Sequence, residues 1–204
     1  MRKFLLVSGI LLFSVALRAQ QGTMSINLDA GYNFGATVKF DVGEVKPSGG
    51  FQWGGGLEYF TFSDQSVELK YLRNSTTFPV YVGGVQKNLG MDCGATNYIL
   101  LGWNKYMGDP DGKVRPFGGL GLGMNIVDIN SNTATKFAWD AKLGVKIKTS
   151  SAISLKLQAY LQHTISAVGT DIYYGWYGAY PVTDYSALWQ FGLGGVLCFD
   201  FKRK

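Results

Sequence analysis

The sequence predicts an all-β chain folded as an antiparallel, up-and-down transmembrane β-barrel of eight strands. Three observations lead there. Long stretches alternate strictly between apolar and polar residues, which a strand sends to opposite faces. Those stretches run twelve residues or more, whereas soluble strands are typically about 5–6 residues and a tilted membrane-crossing strand needs ~9–11. Composition agrees: 28 of the 204 residues are glycine and 15% are aromatic, while only 16% are charged, against roughly 25% in soluble domains. A hydrophobic share of 47% excludes a disordered chain, and two cysteines exclude a disulfide-stapled scaffold.

The first element is an export signal over residues 1–19. Arg2 and Lys3 form a basic start, Phe4 to Leu17 is apolar, and Ala19 is a small residue before Gln20-Gln21. No cysteine lies near the cut, which argues against a lipoprotein anchor. Residues 20–204 then form the barrel domain. Processing removes Arg2, Lys3 and Arg18 from the 19 basic side chains, so 16 face 14 acidic ones and the mature net charge falls from +5 to +2. A nucleic-acid partner is not expected at that balance.

The strands follow in order. From Ile26 to Phe40 the even positions are apolar or aromatic and the odd ones are polar or glycine. Phe137 to Ile147 and Ile153 to Leu161 repeat the pattern, with Asp140, Lys142, Lys146, Lys156 and Gln158 on the opposite parity. The full expectation is eight strands at 24–40, 50–63, 66–87, 93–107, 113–127, 135–148, 152–165 and 187–201. An even count returns the C-terminus to the side of the N-terminus. A ten-strand count stays open, because Arg73 to Pro79 could break the overlong third segment. Connections at 63–65 and 149–151 are short, and those at 41–49, 128–134 and 166–186 are longer. This matches periplasmic turns and extracellular loops. Residues 108–112 are long for a turn, and 88–92 are brief.

Three local features carry a resemblance. Gly56-Leu57-Glu58-Tyr59 leads through Ser63-Asp64 into Val67-Glu68-Leu69-Lys70-Tyr71; Arg115-Pro116-Phe117 precedes Gly118-Gly119-Leu120-Gly121-Leu122-Gly123; and the last strand presents Leu197, Phe199 and Phe201 on one face. Together with the alternation over the mature chain, they resemble the small bacterial outer-membrane barrels of the OmpA/OmpX type and the related outer membrane protein beta-barrel domain proteins. The resemblance implies a bacterial outer-membrane location, and a final strand read by the barrel-assembly machinery. The family usually stops at the terminal aromatic, whereas Lys202-Arg203-Lys204 follow here.

Alternation assigns Asp29, Lys39, Glu58, Glu68, Lys70, Arg115, Asp140, Lys142, Lys146, Lys156 and Asp200 to the lumen, five acids and six bases. An eight-stranded barrel is just wide enough for side chains to fill, and buried charges need partners. The lumen is therefore expected to be plugged, with Lys142, Lys146 and Lys156 as the lining of any narrow anion path. Inward glycines, among them Gly54, Gly56, Gly119, Gly121, Gly123, Gly192 and Gly194, make room for neighbouring side chains and allow curvature.

The segment 171–181 holds Tyr173, Tyr174, Trp176, Tyr177 and Tyr180 among glycines. Such rings stack on sugars or insert into a protein partner, or else extend an outer aromatic girdle. His163 is the only histidine; its parity sends it to the lipid face while Ser154 and Ser166 point inward, so no Ser/His hydrolytic pair is expected. Cys93 and Cys198 fall at opposite rims, too far apart for a bridge that needs Cα atoms within ~7 Å. The expected chain is thus a non-enzymatic, monomeric outer-membrane barrel with both termini periplasmic and without cofactor or metal. Its role is structural or surface-recognition, through loops contacting an extracellular or outer-membrane protein partner. A narrow porin and an accessory subunit of a larger assembly are the alternatives.

Overall fold

A computed structural model describes residues 22–40, 43–77, 79–82, 85–86, 93–129, 132–150, 152–165, 171–175, 178–182 and 187–201. Residues 1–19, where an export signal is expected, lie outside the described residues. In chain order the strands are β1 (Met24–Asn33), β2 (Val38–Phe40), β3 (Gly43–Val45), β4 (Gly50–Phe62), β5 (Gln65–Thr77), β6 (Val80–Val82) and β7 (Val85–Gln86). They continue with β8 (Cys93–Tyr106), β9 (Val114–Ile129), β10 (Asn132–Lys148), β11 (Ile153–Ile165), β12 (Asp171–Gly175), β13 (Gly178–Val182) and β14 (Ala187–Phe201). Eight of them close a barrel in the order β1-β14-β11-β10-β9-β8-β5-β4, and all neighbours are antiparallel.

The register sets the barrel's shape. From Ala30 one path runs through Trp53, Arg73, Asn97 and Ile126 to Thr135 on β10. The other runs through Gly195 and Leu157 to Val145 on the same strand. The two ends are ten residues apart, which is the shear. With eight strands, a rise of ~3.3 Å and a spacing of ~4.8 Å, a shear of ten gives a tilt of roughly 40° and a radius of about 8 Å. That interior admits side chains from opposite walls into direct contact.

Alternation then turns the chain inside out relative to a soluble fold. Leu122 and Leu143 are 61% and 68% exposed on the outer wall, while Glu58 is fully buried and Lys156 is 2% exposed in the lumen. Inward aromatics and aliphatics complete the filling: Leu72, Tyr98, Leu100 and Ala138 form one cluster, and Phe60, Tyr106 and Phe117 another. No helix among the described residues is long and apolar enough to cross a membrane; the crossing elements are strands.

The ends of the barrel differ. One end carries the short connections after β4, β8 and β10 and both ends of the described chain; it is called the turn end below. The connection after β8 is compact: Gly108 takes a left-handed φ of 82°, and Asp109 Oδ1 and its carbonyl accept from Asp111 N and Gly112 N at 2.9 Å each. The other, loop end carries two folded additions. β2, β3, β6 and β7 form a separate four-stranded sheet, and β12 and β13 form a hairpin.

Three expectations are corrected. The first strand stops at Asn33 rather than 40, because its partner β4 begins only at Gly50, opposite Asn33; Pro47 just before it has no N–H to extend the ladder. Val38–Phe40 joins the small sheet instead, and Lys39 lies opposite Glu44 in its backbone register rather than on a barrel strand. The third segment breaks next to Pro79, but its remainder enters the small sheet as β6 and β7, so the barrel stays at eight strands. Residues 128–134 are not a long loop: β9 reaches Ile129 and β10 starts at Asn132, directly opposite. The β-branched residues Ile126, Val127, Thr133 and Thr135 favour continued strand.

A glycine test contrasts Gly123 on the inner wall with Gly195 on the outer wall. A Cβ on Gly123 would meet the Ile99 carbonyl oxygen at 2.0 Å, whereas one on Gly195 would meet nothing closer than 3.8 Å. Gly123→Ala is expected to destabilise the barrel by about 1–3 kcal/mol, and Gly195→Ala by under about 0.5 kcal/mol. Urea unfolding in phospholipid vesicles, followed by tryptophan fluorescence, separates the two.

Candidate functional site

The turn half of the lumen is filled by charge. Glu58 on β4 stands directly opposite Glu68 on β5, an arrangement of like charges that is unfavourable alone. Lysines reach them from across the barrel. Lys156 on β11 donates to Glu58 Oε2 at 2.7 Å, and Lys142 on β10 pairs with Glu68. Glu58 also accepts from Tyr106 Oη at 2.6 Å, Ser66 Oγ at 2.5 Å, Asn104 Nδ2 at 3.0 Å and Asn27 Nδ2 at 3.3 Å. Asn27 Nδ2 bridges to Glu68 Oε1 at 2.6 Å. These donors satisfy the oxygens of a carboxylate in a site water barely reaches.

Two further pairs extend the network. Lys70 on β5 pairs with Asp140 on β10, and Lys146 on β10 donates to Asp200 Oδ1 at 2.9 Å. Asp200 also accepts from Ser25 and Ser154. Beneath them aromatic rings close the turn end. Lys146 lies 4.9 Å above the Phe60 ring, Lys156 5.5 Å from Phe117, and the Arg115 guanidinium 5.2 Å from Tyr106. Arg115 Nη2 also donates to the Ser63 carbonyl at 3.0 Å. Outside the spanning segment, Asp64 in the turn accepts from Lys105, and that hydrogen bond holds its carboxyl below the usual range.

Of the assigned lumen charges, ten therefore stand on barrel strands and point inward, five acids and five bases; Lys39 does not. Four acids and four lysines are matched one to one, Arg115 is held by backbone and ring, and Asp29 has no ion-pair partner among the described residues. Above this level the lumen changes character. Asn33 Nδ2 donates to Gln52 Oε1 at 2.6 Å, Asn125 Nδ2 to Thr164 Oγ1 at 3.0 Å, and Tyr98, Gln162 and Gln190 are buried beside them. The charged candidates left out these amides, Tyr106 and Tyr160, although each shares its neighbours' inward parity. Leu72 and Leu100 share it too, against the polar-in rule.

The aromatic candidates divide at the loop end. On the β12–β13 hairpin Tyr173 lies opposite Tyr180 and Tyr174 opposite Ala179; Trp176 and Tyr177 at its tip lie outside the described residues. His163 sits on the outer wall in a row across three strands, opposite Trp139 on one side and Trp189 on the other. Its ring centroid is 5.3 Å from Trp139 and 4.0 Å from Trp189. Ser154 is turned into the lumen against Asp200, so it forms no pair with His163; Ser166 lies outside the described residues. Cys198 is a buried free thiol near the turn end, while Cys93 opens β8 at the loop end. No group of three or more His, Cys, Asp or Glu side chains among the described residues could hold a metal ion.

A family model described as outer membrane protein beta-barrel domain matches residues 5–194. Comparison with curated proteins finds no match. Among solved structures the chain is similar to Neisserial surface protein A (NspA), with 15% identity, 87% of this chain and 97% of that chain covered, and a TM-score of 0.60. It is similar as well to the outer membrane protein OprG from Pseudomonas aeruginosa, with 15% identity, 87% and 96% covered, and a TM-score of 0.58. At these identities the likeness is one of fold.

The charge lattice makes a stability prediction. Glu58→Ala leaves Lys156 buried and unpaired and is expected to cost about 3–5 kcal/mol. Replacing both partners, Glu58→Gln with Lys156→Met, is expected to recover most of that loss. Urea midpoints of the three barrels in vesicles check it; a double variant no more stable than Glu58→Ala contradicts it.

Proposed function

This chain belongs to the outer membrane protein beta-barrel domain family and is an integral protein of the bacterial outer membrane, and from that premise we propose that it is a non-enzymatic surface barrel with a closed lumen. The observation that carries this reading is the matched charge lattice. Lys142, Lys146 and Lys156, the residues that would line an anion path, each hold a carboxylate at or below 2.9 Å, and the rings of Phe60, Tyr106 and Phe117 pack beneath. A permeating ion would have to break buried pairs, which is costly in a low-dielectric interior.

The function then belongs to the loop end, which this reading places outside the cell, with both termini periplasmic. Folded loops there present a small sheet and the tyrosine-bearing hairpin. Tyr173, Tyr174, Trp176, Tyr177 and Tyr180 are the contacts proposed for an extracellular or outer-membrane protein partner. Rigid aromatics give large contact area at low entropic cost. The barrel acts as a monomer, and the assembly machinery reads its last strand, β14.

Two measurements test the reading. In planar bilayers the refolded protein is expected to show no steady conductance; a stable, salt-dependent single-channel current would make it a narrow porin. Nanodiscs bearing the barrel, screened on glycan and protein arrays, are expected to lose whatever ligand they retain when the five loop aromatics are replaced by Ser, with the heat-dependent gel shift unchanged. Undiminished retention would remove the hairpin from the recognition surface.

A further inference from the structure

The middle of the lumen is one positive charge short. At and above the Glu58 level stand four carboxylates, Asp29, Glu58, Glu68 and Asp140, and three ammonium groups, Lys70, Lys142 and Lys156. Each lysine is committed to one of the other three acids, which leaves Asp29. Its Oδ2 is buried and has no hydrogen-bond partner among the described residues. Lys146, Arg115 and Asp200 lie at the turn end and are engaged there.

Asp29 faces a cavity the size of a single water. The other residues lining it are Ala30, Gly31, Gln52, Gln158 and Tyr160. Tyr160 is only 5% exposed, and its hydroxyl too has no partner. A carboxylate and a phenol that share a cavity would normally bond to each other; here they do not, which leaves space for something between them. Glycine shapes the space. A Cβ on Gly31 would lie 2.7 Å from the Tyr160 hydroxyl oxygen, and one on Gly192 would lie 2.5 Å from its ring. These positions let the tyrosine lie flat against β1 and β14 with its oxygen toward the cavity.

We propose that this cavity binds one small monovalent cation of sodium size, held by the Asp29 carboxylate and the Tyr160 hydroxyl, with amide oxygen from Gln52 or Gln158 completing the shell. Oxygen donors without nitrogen or sulfur ligands select hard cations. The deficit of a single charge selects a monovalent one, since calcium takes 6–8 oxygens and a richer carboxylate set. The bound ion completes the neutralisation of the lumen and ties β1 to β11 across β14.

The test uses the protein refolded in phospholipid vesicles, at fixed pH and ionic strength, in sodium chloride or in N-methyl-D-glucamine chloride, whose cation is too large for the cavity. Sodium is expected to raise the thermal midpoint by a few degrees, about 3 °C at ten-fold saturation. Asp29→Asn is expected to abolish the difference between the salts, and Tyr160→Phe, which keeps the ring packing, to reduce it. Sodium-23 line broadening by the wild-type barrel, absent with Asp29→Asn, reports the ion directly. Identical wild-type midpoints in the two salts overturn the proposal, as does a sodium effect that survives Asp29→Asn. A midpoint that responds to pH through Asp29 but not to sodium overturns it too, and assigns the site to a proton.

Discussion

The pairing of Glu58 and Glu68 with lysines from the opposite wall is the contact on which the rest of this lumen depends. Two carboxylates on adjacent strands cannot neutralise each other, and neither β1 beside Glu58 nor β8 beside Glu68 offers a cation in register. Relief comes from β10 and β11, on the far side of the barrel. The distance is short enough only because a shear of ten over eight strands gives a radius of about 8 Å. Closure and charge matching are thus one constraint. A wider barrel would leave the lysines unable to reach without water, and an unpaired set would leave buried charge that a barrel of this size cannot hydrate.

The same radius explains the glycines. Side chains as long as Lys142, Asp140 and Tyr160 fill the lumen only because the facing positions are empty: a Cβ on Gly121 would meet Asp140 Oδ1 at 2.2 Å, and one on Gly119 would meet Lys142 Cε at 2.9 Å. Gly119 and Gly121 thus sit under polar neighbours, whereas Gly123 and Gly54 make room for the backbone of the adjoining strand. The outer wall works by the opposite economy, with leucines through the middle and rings toward the ends. The cluster of Trp139, His163 and Trp189 shows how a polar ring is accommodated there, packed at a tilt against two tryptophans that also touch each other edge to face at 5.5 Å.

The charges also sort along the barrel. Acid and base concentrate from the turn end to the middle, whereas the loop half is lined by neutral amides and hydroxyls such as Asn33, Gln52, Asn125, Thr164 and Gln190. An amide layer can exchange hydrogen bonds with water without separating charge, so it suits the half next to the folded loops. The ion-pair layer suits the half that must stay shut. Asp29 stands at the boundary between the two, which is why its carboxylate is the one without a lysine.

Period-two alternation determined most of this from sequence. It assigned the faces of β1, β4, β5, β9, β10, β11 and β14, and through them the inward direction of Glu58, Glu68, Lys142 and Lys156, because parity within a strand is a local property of the backbone. Strand length showed that the apolar face was too long for a soluble sandwich. Where a strand ends is not local. The alternation through Val38 and Phe40 continues past the point where β4 runs out, so Lys39 shared the parity of the lumen residues without sharing their barrel; only the partner strand decides that. Which lysine meets which carboxylate, why Asp29 is left over, and why Leu72 and Leu100 point inward all depend on shear and radius. Those are properties of the closed sheet, and no single segment carries them.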